Sequence, residues 1–401
     1  MRIWVRVLLA SLCSWLSTAA QAAQPSGDAG QRLLERFECA RCHDGTAQPV
    51  PPQEKHCTHC HQEILRGTFK APPDVLARWQ KNLHSLPYVP TLVATGARFE
   101  RAWIERFLLA PHELRPGLVA MMPRLAISRQ EAAQLAAVLV PAAAPSASPP
   151  ASDPQLIKQG RELLESKGCG TCHRFSGAAP LVAKPLPALV AAQLKDGQLA
   201  MGIALAPDLR HTRQRFQPAA LAAWLEAPQR IKPDTAMPAI PLSSSEVAAL
   251  AAYIWHTPLA AEPAPAAAVR LPLLTRRVTW DEVSERVFRR TCWHCHSTPE
   301  FAMGDGGPGN TGGFGFKGRG LNVASYTDIA AGSLDDAGER RSIFLPISDG
   351  MPRLIAHLLA RHAELAGQPV PGVRGMPLGL PPLTLEQINL VDSWIAQGRP
   401  R

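Results

Sequence analysis

Apolar residues cluster at helical spacing in short runs, and the runs recur in one order along the chain. Leu33 and Leu34 precede Cys39, Leu163 and Leu164 stand in the matching place before Cys169, and Val283, Val287 and Phe288 form a helical stripe ahead of Cys292. Gly30 and Gly160 precede Cys39 and Cys169 by the same interval. Further on, a capping box predicts the start of a closing amphipathic helix in each case: Ser128 with Glu131, Ser243 with Glu246, and Thr384 with Gln387. Tryptophan segments, Trp103 to Pro111 and Trp224 to Pro228, lie between the first two helix pairs. Each leads to a basic-Pro pair, Arg115-Pro116 or Lys232-Pro233, and then to Met122-Pro123 or Met237-Pro238. The third run keeps a Met376-Pro377 step but lacks the tryptophan segment.

Two Pro/Ala-rich and nearly chargeless stretches interrupt this pattern, 141–154 and 258–272, and read as semi-stiff linkers. They divide the chain into pieces at 24–140, 155–257 and 273–401. Residues 1–22 read as a secretory signal: Arg2 and Arg6 form the basic end, Val7 to Trp15 the apolar run, and Ala20-Gln21-Ala22 the cleavage pattern. The apolar run is shorter than the roughly 20 residues a membrane span needs. Leu12 fills the position before Cys13 where a lipoprotein carries a small residue. No later segment approaches a span, so an exported, periplasmic and soluble product is expected. Composition sharpens the exclusions. With 39 prolines, 29 glycines, 6% aromatic and 19% charged residues, the chain is no long coiled coil, polytopic membrane protein or charge-rich disordered polymer.

The nine cysteines are one singleton, Cys13, and four pairs, each followed by histidine. These are Cys39-Ala-Arg-Cys42-His43, Cys57-Thr-His-Cys60-His61, Cys169-Gly-Thr-Cys172-His173 and Cys292-Trp-His-Cys295-His296. Cys-x-x-Cys-His is the attachment sequence of haem c. Two thiols three positions apart meet the two porphyrin vinyl groups as thioethers, and the next imidazole passes under the ring to bind iron. Disulfides need no histidine after each pair, and a thioredoxin-type site would need one pair rather than four. A four-sulfur zinc site is the rival for the first two pairs, but it leaves His43 and His61 without a purpose. The motifs resemble those of multihaem c-type cytochromes. The order of helix, attachment motif, Met-Pro loop and final helix resembles the class I cytochrome c fold across nearly all of the second piece, both ends of the first and the termini of the third. The resemblance implies an all-α fold of three tandem haem-binding domains, the first dihaem, with first and last helices crossing. It also implies a methionine opposite each proximal histidine, and a buried porphyrin would supply apolar core that an aromatic-poor chain lacks.

Met237 is the best placed sixth ligand, before Pro238 and one short loop ahead of a capped helix. Met376 has the same setting, with Met351-Pro352 as a duplicate and His357 and His362 as competitors. In the first piece Met122, rather than the adjoining Met121, matches the others. The leading helix assigns it to the haem on His43, and the spacing leaves His61 as an alternative claimant. The second haem then draws on His84, His112, His56 or His59, with His84 preferred, or keeps an open iron position. The glycine-rich stretch Gly304 to Gly320 lacks the strand and helix of a phosphate loop and reads as a flexible insertion. The net charge is +9, of which Arg2 and Arg6 belong to the leader. No aromatic-basic platform accompanies it, so acidic redox proteins are the expected partners rather than nucleic acid. The leading expectation is a four-haem electron carrier. The alternatives are a haem enzyme with one open iron, reducing peroxide or oxidising a small donor, and a haem subunit of a larger, membrane-associated or periplasmic oxidoreductase.

Overall fold

The computed structural model describes residues 27–401 except 84, 142–147, 264–265, 267, 299–312 and 348–349. The leader, Cys13 and His84 lie outside the described residues, as does part of each linker and of the glycine-rich stretch. Helices dominate. The first piece holds α1 (Gly27–Arg36), α2 (Cys57–Arg66), α3 (Pro73–Gln80), α4 (Arg101–Leu109) and α5 (Arg129–Leu139). The second holds α6 (Pro154–Ser166), α7 (Ala188–Ala191), α8 (Gln198–Leu205), α9 (Thr212–Arg215), α10 (Pro218–Glu226), α11 (Pro228–Ile231) and α12 (Ser244–His256). The third holds α13 (Trp280–Val283), α14 (Tyr326–Ala330), α15 (Arg353–Leu365) and α16 (Leu385–Ala396). One small antiparallel pair, Ser333–Leu334 with Arg340–Arg341, is the only sheet among the described residues.

The three capping boxes form as expected at the starts of α5, α12 and α16, each with both reciprocal bonds in place. The opening helix of each piece packs on the closing one: α1 on α5, α6 on α12, and α13 with its continuation on α16. Gly160 is where α6 meets α12. A Cβ there would lie 2.0 Å from the Ala249 carbonyl oxygen and 2.6 Å from the Tyr253 Cβ. Gly30 plays the same part on α5, where a Cβ would lie 2.2 Å from Val138 Cγ2 and 2.7 Å from the Gln134 oxygen. Bare backbone at these points lets the helices approach closely enough to bury Leu34 and Leu164, each 1% exposed.

The third piece reaches the same crossing differently. Val283 and Val287, both fully buried, pack with Phe288 around Trp394 of α16. Beyond α13 the helix continues as a π-helix, Ser284–Cys292, rather than the α-helix the apolar stripe suggests. Bulk explains the departure. Where the other pieces place glycine this one has Val283, with the rings of Trp280 and Phe288 beside Trp394 at 5.7 and 6.1 Å between centroids. A wider turn re-aims the side chains that follow.

The pieces are joined by more than linkers. Arg98-Phe99-Glu100 and Arg215-Phe216-Gln217 pair antiparallel about a local pseudo-twofold axis. Glu100 N donates to Arg215 O at 2.7 Å, Gln217 N donates to Arg98 O at 2.9 Å, and the Phe99 and Phe216 rings meet edge to face. The third piece docks on the first. Phe314 N donates to Glu38 Oε2 at 3.1 Å, the Arg41 guanidinium covers the Phe314 ring at 4.9 Å, and Arg361 Nη2 donates to Ala120 O at 3.3 Å. The described end of the glycine-rich stretch is thus a tie between pieces rather than a loose insertion. Parts of 258–272 are also held: Ala260 N donates to Gly177 O at 2.8 Å, and Arg270 forms a two-point ion pair with Asp392, which is 1% exposed.

Gly160→Ala tests the crossing. The added methyl collides with backbone, which cannot swing aside, so a loss of about 1–3 kcal/mol is expected from overpacking. Thermal melting of the variant should show it, whereas Gly197→Ala, which meets no atom within 4 Å but has φ +80°, should cost only local backbone strain.

Candidate haem centre

The attachment segments share a local design. The residue before the first cysteine is left-handed in the first and third motifs, Glu38 at φ 50° and Gly168 at φ 74°. Each is followed by a 3-10 turn, Cys39–Arg41 or Cys169–Thr171. The histidine N–H closes the turn on the first cysteine carbonyl at 2.9 Å in three motifs, His43 on Cys39, His173 on Cys169 and His296 on Cys292. The second motif differs, because Cys57 opens α2 and its helix is capped by the His56 side chain, which accepts from His59 N at 3.3 Å.

Two of the four histidines are oriented by a carbonyl on a proline. His43 Nδ1 donates to Pro90 O at 2.8 Å and His173 Nδ1 donates to Pro207 O at 2.9 Å. A carbonyl demands the proton on Nδ1, which leaves the Nε2 lone pair for a metal. Burial holds both imidazoles below their ordinary pKa, so the neutral form persists at lower pH. The same proline segments are pinned to the motifs: Leu92 N donates to Asp44 O at 2.8 Å and Leu209 N to Arg174 O at 2.9 Å.

His43, His61, His173, Met122 and Met237 all line one continuous cavity of about 1400 Å³ that runs between the first and second pieces. That exceeds the roughly 300–1,000 Å³ of an ordinary single-ligand pocket. Met237 is held by its neighbours. The Trp224 indole N–H donates to its sulfur at 3.1 Å, Gln229 Nε2 donates to its carbonyl at 2.6 Å, and its own N–H donates to Thr235 Oγ1 at 3.2 Å. Sulfur has a second lone pair free for iron. Arg98 and Arg215 also face the cavity, and neither meets a carboxylate at ion-pair distance among the described residues. Arg98 donates to Ala94 O at 3.2 Å and sits over Phe99 and Trp224, while Arg215 sits over Phe99 and Phe216 with its Nε buried and unbonded. Burial pushes them down to about 10 and about 9, Arg215 further because Arg98 and Arg115 add to it. Two desolvated cations with no ion-paired carboxylate among the described residues fit a group that brings its own carboxylates, as a porphyrin brings propionates.

Residues 157–258 match the Cytochrome c family. This stretch is a cytochrome c domain. It contains Cys169, Cys172, His173, Trp224 and Met237, and such a domain implies a covalently bound c-type haem and haem-based electron transfer. No curated protein and no solved structure matches the chain.

Outside the domain the predicted residues are distributed less evenly. The thiols of Cys42 and Cys57 touch, and Thr58 Oγ1 donates to Cys42 O at 2.6 Å, so the first two motifs abut. The four thiols of these motifs do not converge on one point, as a zinc site would need. The one convergent group of metal-binding type among the described residues is Asp44, His56 and His59. There the imidazoles stack in parallel at 3.5 Å and both address the Asp44 carboxylate, His56 at 3.6 Å and His59 at 3.1 Å. His112 lines the cavity with Nδ1 on Ala110 O at 3.1 Å. Of the fourth motif only His294 and Cys295 reach the cavity. Cys292 and Met376 pack instead on the core of the third piece, alongside Met351. Met376 N donates to His357 O at 2.9 Å, His357 Nδ1 donates to Arg374 O at 2.6 Å, and His362 Nε2 is taken by Leu383 O at 2.8 Å. Met376 and His357 are therefore backbone neighbours, and His362 is engaged by the Leu383 carbonyl.

The arginines were missed by sequence reasoning, although a signal exists. Pro90-Thr91-Leu92 and Pro207-Asp208-Leu209 each lie the same interval ahead of Arg-Phe-Glu or Arg-Phe-Gln. That repeat also corrects the alignment of the tryptophan segments. The helix N-caps Glu100 and Gln217 are equivalent, which puts Phe107, and not Trp103, in register with Trp224. Arg215→Gln should lower the midpoint potential of the adjoining haem, because a removed cation favours ferric iron. The expected size is on the order of 1 kcal/mol, with Arg215→Lys retaining most of the wild-type value in a redox titration.

Proposed function

We propose that the chain is an exported tetrahaem cytochrome of three tandem domains that passes electrons between redox proteins of the periplasm. The single observation that carries the reading is the cavity shared by His43, His61 and His173, because centres that share one apolar space exchange electrons without crossing solvent. Haem supplies a one-electron ferrous–ferric couple. The chain supplies the rest. Cys39 and Cys42, Cys57 and Cys60, Cys169 and Cys172, and Cys292 and Cys295 hold four porphyrins as thioethers, with His43, His61, His173 and His296 as proximal ligands. Met122 and Met237 serve the haems on His43 and His173, and Met376 serves the haem on His296. Trp224 fixes the Met237 sulfur, and Arg98 and Arg215 neutralise propionates and tie the first two domains together. The basic surface draws acidic partners, an attraction that salt weakens.

Denatured pyridine haemochrome analysis should give four haems per chain, and a count of three or fewer overturns the tetrahaem reading. Met237→Ala should remove a sulfur-to-iron band from the far-red ferric spectrum while leaving the haem count at four. An unaltered spectrum would transfer the ligand role to another methionine.

A further inference from the structure

The haem on His61 is the centre for which the chain offers several histidines and no Met-Pro loop of its own. His61 lines the shared cavity and faces His294, with ring centroids 5.9 Å apart and planes tilted by 58°. Two imidazoles on opposite sides of one metal, each with a metal–nitrogen bond of about 2 Å, have centroids about 6 Å apart at any tilt about the axis. Cys57 and Cys295 line the cavity as well. His294 stands between the two cysteines of the fourth motif, whose own iron is served by His296. A residue inside that short loop projects away from the porphyrin its neighbours hold, and so toward whatever lies across the cavity. Its described competitors are engaged elsewhere. His59 addresses Asp44 at 3.1 Å, His56 stacks on His59, and the His112 ring lies against His211 at 5.7 Å.

We propose that His294 is the second axial ligand of the haem carried on Cys57, Cys60 and His61. The proposal rests on the tetrahaem reading and names a ligand that the attachment motif does not call for. It has two consequences. A pair of imidazoles sets this haem at a lower potential than haems with a thioether ligand. It also joins two centres through bonds, since His294 is followed directly by Cys295, a thioether of the fourth haem. The docking of the third piece on the first, through Glu38, Arg41 and Phe314, then holds an iron ligand in place.

The test uses the full-length protein in the ferric state, read by low-temperature electron paramagnetic resonance and near-infrared magnetic circular dichroism. The wild type should show at least one bis-imidazole low-spin haem. His294→Ala should keep four haems, lose that signature from one of them and gain one high-spin haem, which free imidazole returns to low spin. His84→Ala should leave the signature in place. Should the alanine variant lose a haem, His294→Met must replace the bis-imidazole signature by a histidine–methionine one. A four-haem wild type with no bis-imidazole centre overturns the proposal. So does a four-haem His294 variant with the wild-type spectrum, or loss of the signature in His84→Ala but not in His294→Ala. A wild-type count below four is a different result, read by the haemochrome alone, and it strikes the tetrahaem reading.

Discussion

The close approach of opening and closing helices at Gly30 and Gly160 is the constraint on which the other features rest. Outside the second motif, each attachment turn begins at or just after a helix whose position is set by that crossing. Each Met-Pro step lies one short loop before the helix on the other side of it. Moving the crossing by the width of one methyl would shift His173 and Met237 relative to each other. On the proposed ligation their separation must match a metal with two short bonds, so the tolerance at the glycine would be inherited from the iron. The third piece shows that the crossing matters more than the glycine. With Val283 and Trp394 at the contact, the chain adopts a π-helical turn and still brings Cys292 to the end of the opening helix.

The second organising contact is the exchange between Arg98-Phe99-Glu100 and Arg215-Phe216-Gln217. Backbone bonds run both ways across it, the two phenylalanines meet on the axis, and the two guanidiniums turn toward the cavity. Two buried arginines so near each other repel, and the pairing would be a liability without compensating anions. The aromatic faces of Phe99, Phe216 and Trp224 offset part of the cost by cation–π attraction. Carboxylates brought by the cofactor would offset the remainder. Joining the first two pieces and accommodating the cofactor are then one problem with one solution.

Much of this was legible in the sequence, for a physical reason. Covalent attachment fixes spacing absolutely, so Cys169, Cys172 and His173 can be read without any fold, and a capping box is a purely local device that formed at all three expected places. What escaped was non-local. Arg98 and Arg215 lie far apart along the chain, and each alone reads as an ordinary surface arginine. Their meaning comes from the cavity that both face. The π-helical turn before Cys292 depends on Trp394, which is distant in sequence, so a stripe of apolar residues cannot announce it. Choosing between Met376 and His357 is hard for the opposite reason, because the two are joined directly by a backbone hydrogen bond.

On the proposed reading, a shared cavity also means that the centres cannot be tuned one at a time. Oxidising one iron adds a positive charge to a space walled by apolar side chains, where charges are poorly screened. The neighbouring iron is then harder to oxidise, and the protein as a whole releases its electrons over a wider range of potential than its separate sites would. Arg98 and Arg215 line that space and act on the centres in it in the same direction. A bis-imidazole haem at His61 would extend the range downward and the Met237 site would extend it upward. Breadth of this kind suits a carrier that must accept from and deliver to different partners, and it follows from placing three attachment motifs on one cavity rather than three.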